Sequence, residues 1–450
     1  MPGSLMYIKM RSPSYCKEMM WCVHAFTHPI ALYNKRCPTA KNPAAMTHND
    51  SNSPSLADVA EHYVKLVLAM GQHDASYVDA YYGPPAWQQD VVKQPRSLSD
   101  IKDGANAALA LLADDASLRA VNLCKQLQAV LAKADMPQGA RLDFDTESAC
   151  LYDAVSPHHS RAYYEALVAE IDALLPGEGT VSDRVNALRA QLVIPADKLR
   201  AVMEAAIRAG RERTLQYIAL PEGEDFVLEF VCDKPWSGYN WYKGNYQSVI
   251  QINTDLPVYI DRAVDLGCHE AYPGHHVYNV LLERDLVRGK GWMEYCIYPL
   301  YSPQSLIAEG TANYGIELSF TDAERLNFEQ QVLYPLAGLD PALAPRYAQL
   351  NALLAKLGYA DNDIARQYLE GSITREEALE WLVNVRLYPA EKSAQRLQFY
   401  DAMGAYVINY NLGQDMAKAY VERQGSTRAE HWAAFRDLMS SPRVPSALLA

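Results

Sequence analysis

From Ser55 onward, apolar residues recur every three or four positions. Leu56, Val59, Ala60, Tyr63, Val64, Val67 and Leu68 mark one face of a helix, behind the cap candidates Ser53 and Ser55. Tyr82-Gly83-Pro84-Pro85 then forms a turn. The same period predicts helices over about 98–116, 117–134, 160–174, 181–192 and 195–217. Two stretches change period. Phe226 to Cys232 and Tyr246 to Ile252 are rich in β-branched and aromatic residues and predict strands. The Gly, Asn and aromatic residues of Trp236 to Asn245 read as a long connection, so the two strands read as an antiparallel hairpin. Helical spacing returns over about 257–288, 303–320, 322–338, 343–358, 361–369, 374–387, 391–422 and 427–439. The expected fold class is mainly α, with a small antiparallel β-sheet near the middle.

Residues 1–52 follow no such pattern and read as a poorly ordered extension ahead of one large helical domain, 53–450. Lys9, Arg11 and Lys17 precede an apolar patch from Met19 to Tyr33, but His24, His28 and Pro29 break it. A secretory signal needs a cleaner apolar core and a small-residue cleavage site. No run of 18 apolar residues appears, so no membrane span is expected. The formal net charge of −13 argues against nucleic acid as a partner, because a phosphate backbone needs a basic surface. The eight cysteines contain no C-x-x-C pair, and five are scattered through the body. A cytoplasmic, reducing location is the simplest expectation.

One segment carries candidate chemistry: His269-Glu270-Ala271-Tyr272-Pro273-Gly274-His275-His276. Imidazole nitrogens suit zinc, and a Glu beside the first His is placed like the general base of a zinc peptidase. The spacing is not that of H-E-x-x-H. On a straight helix His275 would sit about 120° around from His269, away from any shared ion. Pro273 removes a helical N–H and clashes with the carbonyl four residues back, and Gly274 loosens the backbone. A kinked or widened turn is therefore expected, which lets six residues do the work of four. His275 is the preferred second ligand. His276 is the alternative, returning to the His269 face about 10 Å further along an unbroken helix.

A third ligand is sought in Ser305 to Glu317, a second helix with two carboxylates. Glu309 is the choice, since Gly310, Thr311 and Ala312 after it would let this helix pack closely on the first. Glu317 lies about 12 Å further along. An oxyanion partner is sought among Tyr400, Tyr406 and Tyr410, with Arg396 nearby. Strand addition at Tyr246–Ile252 would bind a peptide backbone, with Trp236, Tyr239, Trp241 and Tyr242 beside it, and Asn313 near Glu309 is a further substrate-binding candidate. Asp143, Asp145 and Glu147 form an acidic set that reads as a solvated loop. No Glu stands three residues before any His, which leaves a di-iron carboxylate bundle without its motif. G-x-S-x-G, P-loop and dinucleotide motifs are also absent.

H-E-A-Y-P-G-H-H followed by E-G-T-A-N-Y resembles the DUF885 family of bacterial proteins, themselves similar to zincin-type peptidases such as thermophilic carboxypeptidases and oligopeptidases. The Tyr-Gly-Pro-Pro turn and Leu142 to Ser148 strengthen the likeness. The resemblance implies a zincin-like helical body with its sheet beside the active-site helix. It implies Zn2+ held by His269, His275 and Glu309, with Glu270 as base. It also favours Tyr410 and Arg396 among the late residues. The activity it implies is metallopeptidase cleavage of a peptide substrate. Hydrolysis of a small non-peptide amide, and a non-catalytic helical scaffold with a structural metal, are the alternatives. Glu270 favours an enzyme, since a structural site needs no base.

Overall fold

Six helices begin on a Ser or Thr that caps the backbone and is capped in return by an acid three residues on: Ser55, Ser97, Thr180, Thr321, Thr374 and Thr427. Among the described residues these boxes fix six helix starts within a residue or two of where the apolar period begins. The computed structural model describes residues 54–138, 142–234 and 236–449. The expected extension, residues 1–52, and Ser53 lie outside the described residues. The described chain is mainly α, and none of its helices is long and apolar enough to cross a membrane.

The strands depart from the expected hairpin. β1 (Val78–Tyr81) precedes β2 (Asp225–Val231), β3 (Gly238–Gly244), β4 (Gln247–Asn253) and β5 (Ile297–Pro299). β1 pairs antiparallel with β5, and the other three form a sheet in the order β2-β4-β3. The two strands expected to form a hairpin, β2 and β4, run parallel, Asp225 opposite Gln247. The segment read as their connection is itself a strand, β3, antiparallel to β4. Asn245 and Tyr246, at φ 54° and 63°, turn β3 into β4. The sheet is therefore mixed, β4 is its centre, and β3 is the edge beside the His segment.

Three long helical predictions break. The 391–422 helix divides into Ala390–Met403 and Ile408–Arg423 around Gly404, at φ 56°. The 322–338 helix carries a π-turn at Glu329–Leu333. The 257–288 helix divides at Pro273, as described below. The acidic set is not a solvated loop. Asp143 caps a helix, Phe144–Tyr152, and Asp145 pairs with Arg366. Glu147 accepts the Ala405 N–H at 3.0 Å.

At the centre lies the helix Pro303–Ser319, buried along nearly its whole surface. Its Gly310 meets Gly413 of Ile408–Arg423 backbone to backbone: a Cβ on Gly310 would collide with the Gly413 backbone, and one on Gly413 with the Leu306 carbonyl. The small residues after Glu309 thus admit the C-terminal helix rather than the His segment. Further along, Gly315 makes room for the Pro273 ring.

Candidate metal centre

The helix Asp261–Leu266 runs into a π-turn, Gly267–Ala271, and a new helix starts at His275. The Tyr272 N–H reaches back five residues to the Gly267 carbonyl, and the Gly274 N–H six residues to the Cys268 carbonyl. Pro273 has no N–H to offer. Gly274 is required, because a Cβ there would overlap the His269 carbonyl oxygen. The widened turn cancels the rotation that would have separated the two histidines. Their rings meet edge to face with centroids 4.6 Å apart, Nε2 to Nε2 at 3.0 Å.

The Glu309 carboxylate completes a triangle. Its Oε2 lies 3.2 Å from His269 Nε2 and 3.7 Å from His275 Nε2. Donors about 2.0–2.2 Å from a tetrahedral zinc stand roughly 3.3–3.6 Å apart, so the three atoms fit one ion. Oε1 of Glu309 accepts the Tyr406 hydroxyl at 2.8 Å, whereas the buried Oε2 receives no hydrogen bond. His269 Nδ1 faces Asn313 Oδ1 at 2.9 Å, and Asn313 Nδ2 donates to the Tyr410 carbonyl at 2.9 Å. The amide oxygen must therefore face His269. Nδ1 carries the proton, and Nε2 keeps its lone pair toward the triangle.

Glu270 is buried, its carboxylate within 4.8 Å of the ligand nitrogens of both histidines. Glu309 is the nearer carboxylate to them. Asn240 Nδ2 of β3 holds the Glu270 carbonyl at 2.7 Å, and Gly238 leaves room for the Glu270 side chain. Burial pushes the Glu270 carboxyl above its ordinary pKa, against the pull of the imidazoles. Burial also disfavours charge on His275, but Glu309, Glu270 and Asp79 outweigh it and push that imidazole up to about 9. Glu309 is buried too, yet the two histidines hold its carboxyl well below the usual range. Three carboxylates thus act on His275, an excess of negative charge that favours a cation beside it.

The other predicted residues divide. His276 turns away: Nδ1 meets Ser248 Oγ at 2.8 Å and Nε2 meets Glu224 Oε2 at 3.0 Å, so both nitrogens anchor the helix and neither joins the cluster. Tyr400 gives its hydroxyl to Asp361 and Tyr406 gives its to Glu309, which leaves Tyr410. Its hydroxyl makes no hydrogen bond among the described residues, and burial, Glu309 and Glu270 all raise its pKa. Arg396 is bound to Asp361 at 3.0 Å, its guanidinium carbon 6.0 Å from the Tyr410 ring. Tyr242 is buried with its hydroxyl on Glu283 at 2.5 Å, an anchor away from the cluster. Trp241 bonds Gln251 across the sheet at 3.0 Å. Tyr239 stacks on Trp241 and donates to Asp79. Asn313 orients His269.

One residue of the site has no place in the sequence analysis, and another has a different role there. Asp79 on β1 carries a carboxyl that burial pushes up to about 6, and His275, Glu309 and Glu270 act on it. Its only signal was the Tyr-Gly-Pro-Pro turn just after it. Tyr406 was considered only for an oxyanion, not as the partner of Glu309.

No family model matches the sequence, and no curated protein does. Among solved structures the chain is similar to the "putative lipoprotein from Colwellia psychrerythraea", 16% identical, with a TM-score of 0.51. The match covers 81% of this chain and 64% of that one, so the chain spans just under two thirds of its length. A lipoprotein of unknown function from Shewanella oneidensis, so described, matches at 13% identity and a TM-score of 0.39, over 87% of this chain and 74% of that one. BsuCP matches at 10% and 0.40, over 86% and 87%. The Colwellia likeness is one of fold alone.

Proposed function

We propose that the chain is a zinc-dependent hydrolase of peptide bonds, of the DUF885 kind, with His269, His275 and Glu309 as the metal ligands. The observation that carries this reading is the donor triangle with its unbonded, buried Glu309 Oε2. A buried carboxylate oxygen without a donor is costly, and without an ion only a proton added to His275 can answer it; a metal between the three atoms answers it directly. A zinc ion held there supplies Lewis acidity and brings water ionisation toward neutral pH.

The remaining work falls to the chain. Glu270 takes a proton from the attacking water on its carboxylate and delivers it to the leaving amine, a task its raised pKa suits. The Tyr410 hydroxyl donates to the oxygen that gains charge as the carbonyl carbon becomes tetrahedral. Tyr406 and Asn313 hold Glu309 and His269 in place. Backbone recognition moves from the strand expected for it to β3, since β4 is paired on both sides and the outer edge of β3 has no paired strand among the described residues. A reducing, cytoplasmic location stays part of this proposal on the thin scatter of cysteines in the sequence. The lipoprotein descriptions of the neighbours do not transfer at such identities.

The test is metal content and peptide cleavage on the same preparations. About one zinc per chain is expected, lost in His269→Ala, His275→Ala and Glu309→Gln. Glu270→Gln should keep its zinc and lose roughly 10²–10⁴-fold in kcat. Wild-type protein that stays metal-free after incubation with zinc would sink the reading.

A further inference from the structure

The surroundings of the cluster are not uniformly acidic. On the side of Glu270 and Tyr410, three cations converge in a chain whose net charge is −13. Lys392 and Arg396 stand four residues apart on Ala390–Met403, and so on one face. Arg262 opens the helix that leads into the His segment. One charge is left unanswered, that of Lys392. Asp361 is a single carboxylate shared by Arg386 Nε at 2.8 Å and Arg396 Nε at 3.0 Å. Asp265 is shared by Arg262 at 3.0 Å and Arg325 at 2.8 Å, and Arg325 also pairs with Glu329 at 2.7 Å. Lys392 has no carboxylate within ion-pair distance among the described residues, and its ammonium donates only to Gln395 Oε1 at 2.8 Å. Burial, then the facing charges of Arg396 and Arg262, bring Lys392 down to about 8. Such a gathering is unfavourable unless an anion joins it.

The cluster reaches the candidate centre on two sides. Arg396 lies over the rings of Phe399, Tyr400 and Tyr410, at 4.8, 5.3 and 6.0 Å. The charge of Arg262 acts on Glu270. Arg396 spends only Nε on Asp361, so its two terminal nitrogens, with Lys392, remain as donors.

We propose that Lys392, Arg396 and Arg262 form a subsite for a substrate carboxylate beside the Glu270–Tyr410 side of the centre. The subsite rests on the peptidase reading for its ligand, a peptide. The carboxylate is either the free C-terminus, which would place cleavage near that end, or an acidic side chain. Aromatic rings around Arg396 suit an apolar residue next to the charge.

The test is equilibrium binding to the full chain carrying Glu270→Gln, so that probes survive. Three probes separate the sources: N-acetylglycylphenylalanine, its C-terminal amide, and N-acetylglycylaspartic acid α-amide, in which only the side-chain carboxylate is free. A C-terminal carboxylate subsite predicts the first probe about 10-fold or more tighter than its amide. Lys392→Gln should bring that ratio toward one and leave the amide unchanged, and Lys392→Arg should restore it. Preference shifting to the aspartyl probe assigns the subsite to acidic side chains. The cation cluster needs no zinc, so the preference should persist in metal-free protein, where failure of the hydrolase reading alone leaves it intact. Equal affinity for all three probes, no binding of any, or equal weakening of all by Lys392→Gln would overturn the proposal.

Discussion

Asp361 and Glu309 are both carboxylates buried in the helical body, and the chain treats them in opposite ways. Asp361 is met from every side: Arg386 and Tyr388 on Oδ2, Arg396 and Tyr400 on Oδ1. Glu309 has Tyr406 on one oxygen and two imidazole nitrogens, without a hydrogen bond, at the other. The first arrangement is complete in itself and ties Ala360–Leu369 to the helix Ala390–Met403. The second is oriented but unfinished. Burial alone does not separate the two acids; the presence or absence of donors does, and it is what the proposed metal reading of Glu309 rests on.

The largest test of this contrast is Asp361→Asn. It leaves two guanidinium groups facing each other without their counter-charge, and should cost about 3–5 kcal/mol in urea unfolding. Zinc uptake by the folded fraction should be unchanged. A cost below about 1 kcal/mol, the scale of an exposed pair, would break the comparison. Next in size is Tyr406→Phe. Removing the hydroxyl that orients Glu309 should weaken zinc affinity about 10–100-fold, measured by chelator competition, with little change in unfolding. The smallest effect is a pH dependence. Although burial opposes its charge, Asp361 is held well below the ordinary carboxyl range by its arginines. Its folded pKa is therefore depressed, so its stabilisation is full above the unfolded value of about 3.9 and fades as pH falls toward the folded one. The difference in unfolding free energy between wild type and Asp361→Asn should be flat near neutrality and shrink only below about pH 4. A difference already shrinking at pH 6 would contradict the assignment.

What the sequence reveals follows from distance along the chain. His269, Glu270 and His275 sit within seven residues, and Pro273-Gly274 announces the break that joins them. Helices with a Ser or Thr cap and an acid at the third position are equally legible. Glu309 is readable because it is an isolated acid among small residues. The pairing of β2 with β4 is not, because the segment between them, full of Gly, Asn and Trp, has the composition of a loop yet pairs as β3. Phe144–Tyr152 was hidden for the converse reason, a short helix whose acids are spent on a cap and on partners more than 200 residues away. Asp79 lies 191 residues before Glu270 and 230 before Glu309, and no local period points across such a gap. His276 shows the limit of periodicity itself: an ideal helix would have returned it to the face of His269, and the π-turn handed that place to His275.

The contact of Gly310 with Gly413 bears on how this chain can change over generations. Where two helices meet through side chains, one substitution can be absorbed by another, and the spacing drifts. Here no layer exists to drift. Glu309 stands one residue before the contact on one helix, and Tyr410 three residues before it on the other. Their separation is set by bare backbone, so a side chain added at either glycine should push Glu309 away from Tyr410, whereas changes in the outer layers should leave that distance alone.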